Sequence, residues 1–288
     1  MTKVNYFNQM NSILIKGNLF DLSKPKIMGI LNATPDSFYS NSRINNLNEI
    51  MNKAEKMISE GADILDLGGI STKPNASLVN PEEEIRRILE PVKLLRRSFP
   101  NTIISLDTFN SSTAEAGLIE GVDIINDISG CVIDPNLAEI VTKYNAPYIL
   151  THSNGTPNNS SQKILSGKIM TEIIRYFSEK ISFLNQKGIN NIIIDPGFGF
   201  GKTIQQCFEI IENFEMLKIL EKPILIGASR KSMIYKTLNS TPENSLNGTT
   251  AIHSFLIQKG ASIFRVHDVE QMHEIRLLNE SPGLFFKN

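Results

Sequence analysis

Short runs of apolar, mostly β-branched residues alternate along the chain with longer stretches in which apolar positions return every three or four residues. The runs are IMGIL (27–31), DILDL (63–67), TIISLD (102–107), DIIND (123–127), PYILTH (147–152), NIIID (191–195), PILIGA (223–228) and SIFRVH (262–267). Most are continuously apolar, the pattern of parallel strands covered on both faces. Between them the spacing predicts helices over 47–60, 81–98, 111–120, 135–145, 168–187, 203–219, 245–259 and 268–280. Ile50, Ala54, Met57 and Ile58 mark the buried stripe of the first, with Gly61 as its stop. The second opens on Pro81 and three glutamates, which suit the positive end of a helix.

Eight strands, each followed by a helix, admit a closed barrel or an open doubly wound sheet. The repeat occupies about 250 residues, the usual span of a (β/α)₈ barrel. A dinucleotide-binding sheet would carry GxGxxG after its first strand, where this chain reads LNATPDSF. Ahead of the repeat, ILIKGNLFDL holds a Gly17-Asn18 turn and predicts a hairpin. The expectation is an α/β fold, a (β/α)₈ TIM barrel with an N-terminal β-hairpin extension. It forms a single domain over 1–288, with the extension at 1–25 and the barrel at 26–282.

Composition narrows the function classes. The 288 residues are 41% hydrophobic and 20% charged, enough for a large core. A net charge of −1 gives no basic footprint for nucleic acid. No stretch approaches the roughly 20 apolar residues of a membrane helix, and the opening residues lack a signal-peptide core, so a cytoplasmic protein is expected. Cys131 and Cys207 form no CxxC pair, and the four histidines show no metal spacing. His253 reads as structural and His273 as solvated. Arg86, Arg87, Arg96 and Arg97, on a glutamate-rich helix, read as surface charge.

In a TIM barrel the chemistry lies where the strands end and the βα loops begin. All eight predicted strands deliver polar groups there: Asn32; Asp66 with Ser71-Thr72-Lys73-Pro74; Asp107; Asn126 and Asp127; His152; Asp195; Ser229-Arg230-Lys231; and Arg265 with His267. Any one of them is more simply a cap or a loop residue. Eight at one end describe an active-site rim. Asp107, Asn126 and Asp195 would converge on the mouth, where a carboxylate can accept paired N–H bonds from an amino-pyrimidine edge. Lys231 could donate to a ring carbonyl. Arg265 and His267, two apart on one strand, would face the same side and suit a phosphate or pyrophosphate. Asn32 offers a neutral oxygen to a hard cation such as Mg²⁺. PGFGFGKT departs from the Walker pattern because Pro196 stands at the required glycine, so its glycines are read as a tight turn.

These same loops resemble the dihydropteroate synthase family, from about residue 26 to 270. The resemblance is carried by MGILNATPDSF (28–38), GADILDLGGISTKP (61–74), SLDTF (105–109), IINDISG (124–130), IIDPGFGFGKT (193–203), ASRKSM (228–233) and FRVHDV (264–269). It implies an enzyme that joins a pterin pyrophosphate to p-aminobenzoate by an SN1-like substitution, assisted by Mg²⁺. It also implies a homodimer and a sulfonamide target. Asn32 then resembles the magnesium and pyrophosphate residue, and Asp107, Asn126, Asp195 and Lys231 the pterin site. Arg265, His267 and Thr72 resemble the pyrophosphate anchors. Asp36, Ser37, Phe38, Lys73, Pro74, Phe200, Ser229 and Arg230 resemble the cover loops and the p-aminobenzoate side. Lysine at 73 replaces the family's arginine and loses a bidentate fork. Ile70, Asn75, Tyr39-Ser40-Asn41 and Thr151-His152-Ser153 also depart from the usual motifs. The alternatives are a pterin-dependent methyltransferase, which needs no pyrophosphate anchor, and a catalytically idle pterin-binding paralogue.

Overall fold

The computed structural model describes residues 11–33, 43–69, 80–153 and 169–281. Eight parallel strands form one sheet: β3 (Lys26–Asn32), β4 (Ile64–Gly68), β5 (Ile103–Asp107), β6 (Ile124–Asp127), β7 (Tyr148–Thr151), β8 (Ile192–Asp195), β9 (Leu225–Ile226) and β10 (Ile263–Val266). Their order is β8-β7-β6-β5-β4-β3-β10-β9. A single parallel bridge, Ile194 to Ile224, brings β8 to β9 and nearly closes the barrel. The expected strand at 223–228 shrinks to two residues because Pro223 has no N–H to give; its carbonyl accepts from Ile194 N at 3.0 Å.

Strand alternation divides the core in two. Outward positions such as Leu65, Leu67, Ile104, Leu106, Ile192, Ile194 and Phe264 pack beneath the helices. Inward positions of the lower barrel, among them Met28, Ile64, Ile124, Ile149, Ile193, Leu225 and Ile263, form a separate apolar floor. Burying each such side chain contributes roughly 1.5–3 kcal/mol. Two residues further along, the inward positions become Asp66 on β4, Asn126 on β6, Asp195 on β8 and Arg265 on β10. The same period of two therefore builds the floor and then the polar mouth. Asp127 points outward instead, where it accepts from Ser129 N, Cys131 N and the Tyr148 hydroxyl. It belongs to the shell and leaves the rim.

The hairpin, β1 (Ser12–Ile15) with β2 (Asn18–Asp21), seals the floor with Ile13, Ile15 and nearby Leu22. Its turn residues are Lys16 and Gly17, one position earlier than expected, both with positive φ as a type I′ turn requires. The Lys16 ammonium reaches Asp123 and the Gly121 carbonyl. Asp123 also binds the Arg96 guanidinium and accepts from Ile104 N at 2.8 Å. Arg96 is thus a strut between α2 (Pro81–Ser98) and the barrel base, not free surface charge. Arg87, on the same helix, donates to the Gly69 carbonyl at 3.2 Å.

The remaining described helices are α1 (Arg43–Ser59), α3 (Ser111–Ile119), α4 (Leu137–Tyr144), α5 (Ile169–Gln186), α6 (Ile204–Glu212), α7 (Ser232–Thr237), α8 (Leu246–Gln258) and α9 (Val269–Glu280). The helix expected over 203–219 ends at Glu212 and resumes as a 3₁₀ turn, Phe214–Leu220. Asn213 places both its N–H and its side-chain amide on the Glu209 carbonyl, which closes the α-helical turn. Helix α7 is too short for a periodic signal and was not among the expected helices. His253 is buried on α8 against Phe264, as a structural residue should be. His273 is half-buried instead of solvated, with Nδ1 2.8 Å from Arg276. None of the described helices is long and apolar enough to cross a membrane.

Replacing Asp123 by alanine strips partners from Arg96, Lys16 and the Ile104 amide. The expected loss is about 2–4 kcal/mol of unfolding free energy in urea titrations. Ligand binding at the opposite end of the barrel should stay within twofold of the parent.

Candidate active site

The mouth is built around Arg265. Its Nε donates to Asp66 Oδ2 at 2.6 Å and its Nη2 to Asp107 Oδ2 at 2.8 Å. Asp66 is fully buried and Asp107 nearly so. Burial pushes the Asp107 carboxyl up to about 7; Arg265 opposes that rise, and Asp66, Glu84 and Asp127 add to it. The two carboxylates in turn hold the guanidinium firmly protonated against the cost of its own burial. The expectation that Arg265 stands open beside His267 needs correction in part. Its fork faces down, onto carboxylates, and only Nη1 has no partner among the described residues.

Asn126 lies on β6, directly beside Asp107 in register. Its Nδ2 is 3.3 and 3.5 Å from the two Asp66 oxygens. Asp195 ends β8 and is oriented by its own loop, Oδ1 accepting from Gly197 N at 2.7 Å. Oδ2 faces Gly227, where an added Cβ would sit 3.5 Å away. Burial raises the Asp195 pKa, against the Gly197 amide and the charges of Lys231, Lys202 and Arg265. Lys231, at the start of α7, has its ammonium 4.6 Å from the centre of the Phe200 ring. Burial and Arg265 lower its pKa. Phe200 joins Phe109, Ile128 and Ile133 in a small apolar wall above the polar floor.

The loop after β8 explains the glycines of PGFGFGK. Gly197, Gly199 and Gly201 all have positive φ, and a Cβ on Gly197 would lie 2.1 Å from the His152 carbonyl oxygen. Lys202 crosses that loop and donates to the carbonyls of His152 (2.9 Å), Gly197 (2.8 Å) and Phe200 (3.4 Å). Burial moves its pKa down to about 7, while three acceptors favour the ammonium.

His267 lies just past β10, open to solvent at the rim. Desolvation by its neighbours and the charge of Arg265, opposed by Asp268 and joined by Arg230 and Lys231, push its imidazole down to about 4, so the ring is neutral at pH 7. Ser229 Oγ accepts from His267 N and lies 3.1 Å from Nδ1. The hydroxyl, accepting from that amide, can donate to Nδ1, which puts the ring proton on Nε2. Arg230 forms a fork on Asp268, at 2.9 and 2.6 Å, that straps the loop after β9 to the one after β10. The structure thus gives Ser229 and Arg230 supporting contacts within the rim. Asn32 is exposed at the end of β3. Thr72, Asp36, Ser37, Phe38, Lys73 and Pro74 lie outside the described residues, as do Ile70, Asn75 and Tyr39-Ser40-Asn41.

Two residues matter more here than their sequence context indicates. Asp66 holds Arg265 and Asn126, and Lys202 ties two loops. The period-two step from Ile64 to Asp66 was the available signal for the first. No sequence signal identified the second.

The family described as pterin binding enzyme matches residues 28–267. The dihydropteroate synthase of Clostridium beijerinckii is 41% identical over 246 residues, covering 84% of this chain and 88% of that protein. The Escherichia coli dihydropteroate synthase is 36% identical over 264 residues, covering 91% and 93%. Among solved structures, the Yersinia pestis dihydropteroate synthase in a sulfonamide drug complex superposes with a TM-score of 0.87 at 35% identity, covering 93% of this chain and 98% of that one.

Proposed function

The chain belongs to the dihydropteroate synthase family of pterin-binding enzymes, and from that premise we propose how its mouth condenses 6-hydroxymethyl-7,8-dihydropterin pyrophosphate with p-aminobenzoate. The observation that carries the reading is the set of buried Asp107 and Asp195 with partly buried Lys231 and Arg265 at the C-terminal ends of the barrel strands. A pterin presents amino and ring N–H donors along one edge and a carbonyl beside them. Asp195 Oδ2 and the Asp107 carboxylate accept from such an edge, and Lys231 donates to the carbonyl. Gly227 leaves the space in front of Asp195 clear for the ring.

The diphosphate lies above, toward the rim. Arg265 Nη1 and His267 Nε2–H are the donors left for its oxygens. The bond between the exocyclic methylene carbon and the pyrophosphate oxygen breaks, and the departing pyrophosphate takes the electron pair and gains charge that these donors stabilise. The p-aminobenzoate nitrogen then attacks the methylene carbon and releases its proton, giving dihydropteroate. An arylamine is nucleophilic without a strong base, so no Ser/His/Asp arrangement is needed. Its ring would pack on the wall of Phe200 and Phe109. No group of three metal-ligating acids, histidines or cysteines occurs among the described residues. Exposed Asn32 alone fits a magnesium ion carried in on the diphosphate, where it would supply charge neutralisation for the leaving group.

Exposed Phe208 on α6, Leu238 after α7 and Phe255 on α8 support assembly as a homodimer through that side of the barrel. Cys131 and Cys207 are free and buried, which suits a reducing cytoplasm.

Purified protein supplied with the pterin pyrophosphate and Mg²⁺ should release pyrophosphate only when p-aminobenzoate is present, and Lys231→Ala should lose the release. Pterin binding without release would favour the idle paralogue. Gly227→Ala has room to fold, yet its methyl occupies the ring's place. It should weaken dihydropterin binding in calorimetry by at least roughly tenfold with an unchanged unfolding midpoint.

A further inference from the structure

We propose that Asp66 is a positioning residue: buried beneath the mouth, it sets the fork of Arg265 and the amide orientation of Asn126 and so selects the pterin edge. The proposal rests on the pterin-site reading above. Asp66 lies on β4 and receives Asn126 from β6 and Arg265 from β10, each two strands away on either side. Arg265 Nε reaches Oδ2 at 2.6 Å, which fixes the plane of the guanidinium. Nη2 then falls on Asp107 at 2.8 Å and Nη1 is left over. Without the first contact nothing holds the second in that orientation.

The Asn126 contacts are long, at 3.3 and 3.5 Å, but their chemistry is one-sided. An ionised carboxylate only accepts, so it draws the amide nitrogen and turns Oδ1 the other way. Asn126 therefore offers the ligand an acceptor. With Asp107 beside it in register and Asp195 opposite, the floor presents acceptors to a donor-rich edge. An Asn126 amide turned round would offer a donor there and repel the amino group of a pterin. Asp66 is fully buried, so its influence passes through its two partners.

Asp66→Asn keeps the shape but lets the side chain donate, which releases the amide orientation and weakens the hold on Arg265. Dihydropterin binding should weaken and the KM for the pterin pyrophosphate rise by roughly ten- to a hundredfold, the value of one charge-assisted hydrogen bond. The KM for p-aminobenzoate should stay within twofold. The acid limb of kcat/KM for the pterin substrate should also shift: losing the Asp66 charge moves it to lower pH, and a looser Arg265 beside Asp107 moves it to higher pH. Asp107 is faced by Arg265 from β10, Asp66 from β4, Glu84 from α2, Asp127 from β6 and Lys231 from α7, and removing Asp66 takes away a negative neighbour. Loss of general packing would not move that limb. The double variant with Asn126→Ala should bind dihydropterin more tightly than the product of the two single losses predicts, because one of the two routes is already removed. If Asp66→Asn does not fold, Asp66→Glu retains the buried charge and displaces it, and must show the same split between the two KM values. An unchanged pterin KM and pH limb in a folded variant, or equal losses for both substrates, overturns the proposal. If the parent protein lacks p-aminobenzoate-dependent release, the synthase reading fails on its own, and dihydropterin binding by parent and variants still decides the role of Asp66.

Discussion

Arg265 donates to Asp66 and Asp107 at once, and without it two carboxylates would face each other in a space built to exclude water. Two like charges about 4 Å apart repel by roughly 4 kcal/mol at the effective dielectric of a protein. Burying the guanidinium costs as well, and the three groups tolerate the interior only together. Such a cluster adds little net stability compared with apolar residues of the same volume. Its effect is on geometry. Asn126 donates to Asp66, burial raises the Asp107 pKa to about 7, and Arg265 keeps Nη1 unpaired among the described residues.

The apolar floor lets this cluster exist. Inward-facing Ile64, Ile124, Ile149 and Ile193 fill the lower barrel, and the hairpin covers their underside. Water is thereby kept from the base of the mouth, where it would screen the charges and compete for their hydrogen bonds. Stability and chemistry are separated along the barrel axis: the Asp123–Arg96–Lys16 cluster fastens the lower end, and Lys202 and the Arg230–Asp268 fork fasten the loops of the upper end.

Much of this was legible in the residues. Continuous apolar strands and a strand-helix alternation predict eight βα units, their span and the missing GxGxxG favour a barrel, and residues such as Asp107, Asn126, Asp195 and Lys231 do gather at its mouth. Local pattern failed where a long-range partner decided the outcome. Arg96 reads as surface charge on a glutamate-rich helix, and only the fold brings Asp123 beneath it. Asp127 reads like its neighbour Asn126, but the strand pleat turns it to the other face. Arg265 reads as an open anchor because nothing in its own segment reveals the two carboxylates waiting across the barrel. The helix over 203–219 breaks at Asn213 for a local reason that periodicity does not register.

The order of strands has a consequence for how the chain acquires its site. Asp66 and Arg265 are 199 residues apart, and β3 finds its neighbour in β10. A nascent chain that has delivered β3 through β9 still exposes the edge of β3 and carries Asp66 and Asp107 without the guanidinium that pairs with both. Loop-closure entropy falls on that final pairing. The site is therefore completed only by its last strand. The donors of Arg265 and His267 arrive when β10 docks, and substrate that needs them stabilises the closed barrel by mass action. In a cell, ligand supply would protect the finished molecule from local opening while offering no help to the partly made one.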